Sequence, residues 1–195
     1  MVRLTQEERD WLQNKYPQLK YDRDRSIIKG PVPINHTYQG TTIKEVFQIK
    51  INLWAMRNRK EYPHVYNTDG RIRKIAKRKK INHIDLHVYD NDRLCLGLPE
   101  RFSEYYPLDF ELPLFFKHLS EHLYWIAYYE RYNQAPWLAE KHGNDARIEY
   151  YIEKQDVNNL RIFYKLKLGK GISSSKLRNY LSSPELKNKL IKQLL

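Results

Sequence analysis

The sequence predicts an α+β protein in which helices cover one face of an antiparallel sheet. Short segments with alternating apolar and polar residues follow one another between residues 25 and 66, and short turns separate them. Consecutive strands with such connections pair as antiparallel neighbours, which indicates a four-stranded meander. Apolar residues then recur at helical spacing over residues 112–129 and indicate one long helix that packs on the sheet.

The first residues predict a helix with a defined start. Thr5 and Glu8 occupy the two positions of a capping box, and the helix is expected to end near Tyr16-Pro17. Trp11 lies on the apolar side of this helix and is expected to pack on the core.

Four extended segments are expected next, over residues 25–29, 32–38, 43–53 and 62–66. Gly30-Pro31 separates the first two, and Pro33 confines the second to a sheet edge or to its first positions. The third segment has the clearest pattern, because five apolar residues fall on one face: Ile43, Phe47, Ile49, Ile51 and Leu53. A strong turn signal, Asn67-Thr68-Asp69-Gly70, follows the fourth segment.

The long helix is expected to begin near Asp109 or Glu111, with Pro113 in its first turn. Its apolar stripe comprises Leu112, Phe115, Phe116, Leu119, Leu123, Ile126 and Tyr129. We expect one domain over residues 1–135 and a basic C-terminal extension over residues 136–195. Two short helices are expected in the extension, over residues 177–181 and 184–195, and Pro184 opens the second.

The chain carries a formal net charge of +12 that is unevenly placed. Residues 71–80 contain seven basic residues and no acid, and from Leu160 onward nine Lys or Arg face one acid, Glu185. Basic surfaces favour acidic partners, although they also serve as solvated surfaces without a ligand. The basic run that we consider as a surface for an acidic partner consists of Arg71, Arg73, Lys74, Lys77, Arg78, Lys79 and Lys80.

Cysteine usage and hydropathy predict a cytoplasmic protein without membrane spans. A single cysteine among 195 residues forms no internal disulfide and offers no zinc-ligand spacing. The first residues lack the apolar segment of a secretory signal, and charged residues interrupt the longest apolar segment. We expect no cofactor and no metal.

That cysteine, Cys95, lies in the stretch 83–99, which is expected to form a strand, a polar turn and an extended segment closed by Gly97 and Pro99. On such a strand Ile84, Leu86 and Val88 share one face, and His83, Asp85, His87 and Tyr89 the other. Titratable neighbours favour a nucleophilic cysteine, whereas a lone cysteine is also a common small core residue. The residues alone leave both interpretations open.

The order of elements and the residues around Cys95 resemble the ubiquitin-conjugating enzymes. In that family His-Pro-Asn precedes the catalytic cysteine by a short spacer, and Asp85-Leu86-His87 aligns with it without a gap. Tyr62-Pro63 stands where the family has a Tyr-Pro turn after its third strand. The resemblance covers about residues 5–134 and implies a UBC-like fold: an N-terminal helix, a four-stranded antiparallel meander, a catalytic cysteine loop and a long core helix.

A bacterial subgroup is similar in more detail, at His83, Leu94-Cys95-Leu96, the aromatic long helix, Trp137 and His142-Gly143. These ubiquitin-conjugating-enzyme-like proteins are encoded beside the cGAS-like nucleotidyltransferases of CBASS antiphage systems. Related proteins promote covalent attachment of the nucleotidyltransferase C-terminus to other molecules. The tail around residues 167–180 is also similar to a SEC-C zinc tail, but it has none of that tail's cysteines, and no zinc is inferred.

The resemblance implies acyl transfer through a thioester on Cys95, with an amine or another nucleophile as acceptor. The implied partner is the C-terminus of a cGAS-like nucleotidyltransferase or of a ubiquitin-like protein, with or without an activating enzyme. His87 stands where the family has its oxyanion-supporting asparagine, so it is a candidate for oxyanion support or for a base. Asp90, Asn91 and Asp92 are expected near the site, where an aspartate would orient the incoming amine.

Other functions remain open on the same residues. A cysteine hydrolase would use His83 or His87 as base, and His83, Asp85 and His87 on one strand face would suit a mononuclear metal site. The basic runs would suit sequence-independent nucleic-acid binding, although no RRM, KH or helix-turn-helix signature is present. The alternative from another class is a catalytically inactive basic adaptor of the same fold, in which Cys95 has no catalytic role.

Overall fold

Helix α1 (Gln6–Lys15) begins at the capping box that the sequence predicts. In the computed structural model, which describes residues 2–139 and 141–195, Thr5 Oγ1 accepts the Glu8 N–H at 3.2 Å. Glu8 Oε2 in turn accepts the Thr5 N–H at 2.9 Å. Trp11 packs against Tyr16 and Phe116, with ring centroids 5.7 and 5.6 Å away, so this helix is fastened to the core as expected.

Four antiparallel strands follow α1 in the order β1-β2-β3-β4: β1 (Lys20–Asp22), β2 (Ile27–Tyr38), β3 (Thr41–Asn52) and β4 (His64–Asn67). The α+β class and the four-stranded antiparallel sheet are therefore confirmed. All five apolar residues predicted on one face of the third strand are buried, each with at most 1% of its surface exposed.

The strand boundaries differ from the prediction at Gly30-Pro31. Residues 27–29 and the whole segment 32–38 belong to the single strand β2, whereas residues 25 and 26 lie in the turn before it. The sequence pattern does not predict β1. Gly30 has φ +146°, and a Cβ there would lie 2.8 Å from the Gln18 carbonyl oxygen, so only glycine lets the strand continue past β1. The prolines are tolerated because β1 pairs only with Ile27, Ile28 and Lys29 and leaves the rest of that edge without a strand partner among the described residues.

The long helix α4 (Leu112–Tyr132) covers the sheet as predicted. Pro113 lies in its first turn, and six of the seven stripe residues are buried: Leu112, Phe115, Phe116, Leu119, Leu123 and Ile126. Tyr129 is only partly buried and packs at the edge of the core. The short helix α3 (Phe102–Tyr105) precedes α4.

The chain between β4 and Cys95 is more helical than predicted. The basic run forms helix α2 (Arg71–Lys79), which buries Ile72, Ile75 and Ala76. The expected strand from His83 is instead a 3₁₀ helix, His83–Leu86. Its start is fixed by Asn82, whose side chain accepts the Ile84 N–H at 3.1 Å, and such local capping overrides a short alternation of apolar residues.

The described chain divides into two compact units, Met1–Ala139 and Glu140–Leu195. The second unit is helical, with α5 (Gly143–Glu153), α6 (Val157–Leu168), α7 (Ser174–Leu181) and α8 (Pro184–Leu194). The expected helices over 177–181 and 184–195 are found as α7 and α8, and Pro184 opens α8. The basic extension has its own apolar core, in which the most buried residues are Ile148, Leu160, Leu177, Leu190 and Leu194.

The sequence predicts no membrane span, and the helices agree with that prediction. Within residues 2–139 and 141–195, every helix is too short or too polar to cross a membrane.

Candidate functional site

Cys95 lies on an extended segment held from two sides. The Leu94 N–H donates to the Val65 carbonyl of β4 at 2.7 Å, and the Cys95 N–H donates to the His87 carbonyl at 2.7 Å. Leu94 and Leu96 are buried, with 3% and 7% of their surfaces exposed. Because side chains alternate along extended backbone, the Cys95 side chain points away from the core, and it is half-buried.

The thiol lies in a groove of about 270 Å³. Cationic residues of the lining are Arg57, Lys60 and Arg93, and its one carboxylate, Glu61, pairs with Arg57 at 2.7 Å. Apolar and aromatic walls come from residues on both sides of Cys95: Tyr62, Pro63, Tyr89, Leu94, Leu96 and Pro99. The groove therefore combines a half-buried cysteine with positive charge, which favours a carboxylate or another group that carries negative charge on oxygen.

Tyr89 contacts the sulfur directly. Its hydroxyl donates to Cys95 Sγ at 3.2 Å. Burial, reinforced by the hydrogen bond to Cys95, raises the pKa of Tyr89 to about 12, so the hydroxyl keeps its proton at neutral pH. A neutral phenol at this distance stabilises negative charge on the sulfur.

Arg93 holds Tyr89 in place. Its guanidinium lies 4.6 Å from the centroid of the Tyr89 ring, and its Nη1 is 3.0 Å from His64 Nε2. Burial and the charge of Arg93 lower the pKa of His64, so its ring is neutral at pH 7. Because a guanidinium only donates, His64 Nε2 accepts this hydrogen bond.

His87 lies near the thiol, where the family resemblance implies it. One of its ring nitrogens lies within 4.8 Å of Cys95 Sγ. The residue has φ +57°, and its ring meets the rings of Trp125 and His122 edge-on, with centroids 5.3 and 5.5 Å away. The left-handed backbone and the aromatic contacts fix the ring beside the sulfur.

The premise of a three-ligand strand face is wrong. Because His83–Leu86 is a 3₁₀ helix, His83, Asp85 and His87 do not alternate along one strand. His83 Nε2 instead lies 2.9 Å from Asp90 Oδ1. His83 therefore stabilises the polar turn. Of the three residues, only His87 has a side-chain nitrogen that the structure places within 4.8 Å of Cys95 Sγ.

The polar turn is built by the residues that the sequence placed near the site. Asn91 Oδ1 accepts the Arg93 N–H at 3.2 Å, and Asp92 pairs with Arg73 Nε at 2.5 Å. Asp90 has a fully exposed carboxylate apart from its bond to His83. Within the described chain, the lining of the groove includes Tyr89 and Cys95 but none of these three residues. Their contacts shape the turn, and a role toward an incoming amine stays a prediction.

The basic run splits into two groups. Arg71 lies over the Phe47 ring at 4.5 Å and pairs with Glu130 at 2.6 Å and Glu45 at 3.2 Å. Arg73 binds Asp92 and the backbone carbonyl of Asp90. These two arginines serve the fold. The exposed cations Lys74, Lys77 and Arg78 of α2, with Lys80 at its C-cap, form what we call the outer face of α2, and Lys79 is half-buried.

Sequence reasoning missed the groove residues His64, Tyr89 and Arg93. A signal was present, since a polar turn between Val88 and Leu94 predicts a small hairpin. The structure pairs Val88 with Leu94, and the Tyr89 N–H donates to the Arg93 carbonyl at 2.8 Å. That pairing brings Tyr89 beside Cys95, which the sequence describes only once the hairpin is recognised.

Beneath the cysteine segment, His118 of α4 makes a buried contact. It forms a backbone hydrogen bond with Leu96, and its Nδ1 lies 3.0 Å from the Tyr106 hydroxyl. Burial lowers the pKa of His118 to about 4. The neutral ring thus holds the segment on which Cys95 lies.

We predict that the folded state loses stability below pH 6.5 through His118. An unfolded histidine has a pKa near 6.5 and the folded one about 4, so the unfolded state takes up the proton first as pH falls. Between pH 7 and pH 4.5 this costs roughly 2–3 kcal/mol of unfolding free energy. Urea unfolding of the protein and of His118→Gln at both pH values measures it. Equal pH dependence in the two proteins contradicts the assignment.

Comparisons with known proteins identified no related family, protein or structure. A scan against protein-family models, a search of curated proteins and a search of solved structures each gave no match.

We predict that Tyr89→Phe slows the reaction of Cys95 with iodoacetamide at neutral pH by about threefold to tenfold. Losing a hydrogen bond to a charged acceptor costs about 1.5–3 kcal/mol, and the greater nucleophilicity of a more basic thiolate offsets part of it. Tyr66→Phe is the matched control, since Tyr66 lies on β4 outside the groove lining. Equal rates in all three proteins would show that the phenol does not act on the sulfur.

Proposed function

We propose that the protein is a cysteine-dependent acyl transferase of the ubiquitin-conjugating type. The carrying observation is the placement of Cys95 Sγ in a cationic groove, with the Tyr89 hydroxyl at 3.2 Å and a His87 ring nitrogen within 4.8 Å. The element order adds support, because an N-terminal helix, a four-stranded meander, the cysteine segment and a long helix succeed one another as the family resemblance implies.

The reaction has two steps. The Cys95 thiolate attacks the carbonyl carbon of an activated C-terminal carboxylate, the C–S bond forms, and the activating group leaves with the electron pair of its bond. An amine then attacks the thioester carbonyl, the C–N bond forms, and the C–S bond breaks. The thiolate is restored, and the amine proton passes to a base or to water.

The neighbouring side chains suit this chemistry. A thiolate is nucleophilic near neutral pH and is also a good leaving group, so it serves both steps. Tyr89 stabilises the thiolate before attack and after release. His87 has a ring nitrogen within 4.8 Å of Sγ and stands at the place of the family's asparagine, so it is proposed to donate to the oxyanion of the tetrahedral intermediate.

The proposed acyl donor is the C-terminus of a partner protein. An open groove lined by cations and aromatic walls accepts an extended chain end, whereas a small metabolite would favour an enclosed cavity. By the family resemblance, the partner is a cGAS-like nucleotidyltransferase of a CBASS antiphage system, or a ubiquitin-like protein, delivered with or without an activating enzyme.

The test incubates the protein in parallel with a CBASS nucleotidyltransferase and with a ubiquitin-like protein, each with an activating enzyme and ATP. The proposal predicts a covalent complex on non-reducing gels that dithiothreitol releases and that Cys95→Ala does not form. Failure to form a complex with either class of donor would refute the conjugating role.

The outer face of α2 is proposed as the docking surface for that partner. It presents four exposed cations, Lys74, Lys77, Arg78 and Lys80, and an acidic partner surface would complement them. Arg78 pairs with the Glu130 carboxylate at 2.6 Å, whereas Lys74 Nζ donates to a backbone carbonyl, that of Asp69, at 3.1 Å. The lysines are therefore the better test positions.

We predict that Lys74→Glu/Lys77→Glu weakens partner binding at least tenfold and mainly slows association, because charge reversal replaces attraction by repulsion at the encounter. Folding is preserved, since both side chains are exposed. Lys20→Glu/Lys29→Glu, two exposed lysines on β1 and β2, is the control pair. Unchanged association kinetics in the α2 variant would remove this surface from the proposal.

A second function, that of a catalytically inactive adaptor, is favoured by the same basic face alone. Substitution of Cys95 distinguishes the two functions. An adaptor keeps its biological activity after Cys95→Ala, and an acyl transferase loses it.

A further inference from the structure

Helix α6 of the second unit carries a surface that the acyl-transfer proposal does not use. Its buried side consists of Leu160, Phe163 and Tyr164. On its other side Ile162 and Leu166 have 57% and 71% of their surfaces exposed. These two residues are one helical turn apart and therefore lie next to each other on the exposed face.

The exposed face borders a recess. Its volume is about 330 Å³, and it lies between α6 and the segment that precedes α7. The lining consists of Asn158, Arg161, Ile162, Lys165, Gly171 and Ile172. Arg161 Nε donates to the Ile172 carbonyl at 3.3 Å and holds the two walls together.

The charge on the described lining of the recess has one sign. Arg161 and Lys165 are cations and no carboxylate lines the recess, while Asp156 lies two residues before Asn158 as the N-cap of α6. From Val157 to the last residue of the sequence, nine Lys or Arg accompany only Glu185. The lining combines two apolar side chains, Ile162 and Ile172, with two cations, Arg161 and Lys165. Such a recess is complementary to a chain segment that combines an apolar side chain with flanking carboxylates.

We propose that this α6 recess binds an acidic peptide segment of a partner protein, with one apolar side chain of the peptide inserted against Ile162. Two other classes of ligand fit less well. Phosphate groups gain nothing from exposed Ile162 and Leu166, and helices that lie on membranes carry a broad convex apolar face rather than a hollow. A peptide uses both the apolar side chains and the cations of the recess.

The binding has two separable parts. Ile162 and Leu166 supply apolar area that leaves water, and this part is insensitive to salt. Arg161 and Lys165 attract the flanking carboxylates, and this part weakens as salt is raised. Binding is thus expected to fall in about 0.5 M salt without disappearing.

The test uses the full chain and a fluorescein-labelled synthetic peptide, Asp-Glu-Leu-Asp-Glu-Leu-Glu-Asp, in fluorescence polarisation. We expect saturable binding that weakens at least tenfold with Ile162→Ser and with Lys165→Glu. All substituted side chains are exposed, and Lys176→Glu on α7, outside the recess, is the matched control that keeps binding. The same peptide with serine in place of both leucines is expected to bind with an affinity at least tenfold lower.

Three results would overturn the proposal. One is no saturable binding of the acidic peptide. Another is equal weakening by Lys165→Glu and Lys176→Glu, which would show diffuse attraction rather than a site. The third is Ile162-dependent binding of a thymidine oligonucleotide or of anionic phosphatidylglycerol vesicles that exceeds peptide binding, which would assign the recess to nucleic acid or lipid.

Discussion

Replacing Cys95 by alanine is expected to abolish acyl transfer, with a loss on the order of 10³-fold or more, because Cys95 is the one thiol in the described lining of the groove and only a thioester passes its acyl group on readily. Cys95 is the only cysteine of the chain. Cys95→Ser is expected to trap the acyl group instead, since an oxygen ester resists dithiothreitol and passes its acyl group to amines far more slowly than a thioester.

The measurement is the rate of donor loss and product formation under single-turnover conditions. The matched control is Ser103→Ala on α3, a small exposed hydroxyl outside the groove lining, which should leave the rate unchanged. Transfer by Cys95→Ala at the rate of the unmodified protein would mean that the reaction does not pass through this sulfur.

The second large effect is expected on stability, at the Glu8–Arg59 ion pair. Arg59 binds both carboxylate oxygens of Glu8 and donates to the Phe110 carbonyl at 2.8 and 3.1 Å. Glu8 also accepts the Leu112 N–H at 3.3 Å. One pair thus joins α1, the loop after β3 and the start of α4.

Arg59→Met is expected to lower the unfolding free energy by about 3 kcal/mol, because it leaves the Glu8 carboxylate buried without its counter-charge. For a unit of this size the Tm falls by roughly 10 °C. Thermal unfolding monitored by circular dichroism measures the change.

Arg25→Met is the control for that measurement. Arg25 and Asp22 form an exposed pair, 3.9 Å apart, whose loss is expected to change stability by less than about 0.5 kcal/mol. Equal effects of the two substitutions would contradict the structural role of the Glu8–Arg59 pair.

Local signals in the sequence predicted much of the first unit. The capping box at Thr5 and Glu8, the apolar face of β3 and the stripe of α4 each depend on residues close in the chain, and each is present. The sequence predicted a four-stranded antiparallel sheet but not where its strands begin and end. The continuity of β2 depends on the close approach of Gly30 to the Gln18 backbone. Such a contact between distant residues leaves no periodic signal.

The sequence predicted that His87 lies beside Cys95, and in the structure one of its ring nitrogens is within 4.8 Å of Sγ. The other residues of the stretch were placed less well. His83 was placed on a strand because three apolar residues alternate there, but the Asn82 cap forms a 3₁₀ helix instead. Arg71 and Arg73 looked like surface charge, yet their partners Glu130 and Asp92 lie far along the chain or in a turn. Charge in a sequence does not show which cations are paired.

The shape of the groove could not be predicted from the sequence, because it depends on contacts between residues distant in the chain. Gly97 is an example: it has φ +156°, and a Cβ there would lie 3.1 Å from the Tyr62 hydroxyl. The segment after Cys95 therefore passes close to the aromatic wall only because residue 97 is glycine. The sequence marked Gly97 as the end of an extended segment but not the contact that shapes the groove.

The central claim is that Cys95 accepts an acyl group and passes it to an amine. Its most direct test mixes the protein with a synthetic peptide α-thioester and follows intact mass. We expect one adduct with the mass of the peptide acyl group, located on Cys95, released by dithiothreitol, discharged by added lysine and absent in Cys95→Ala. An unmodified Cys95 in the presence of excess thioester, or an adduct that lysine never discharges, would contradict it.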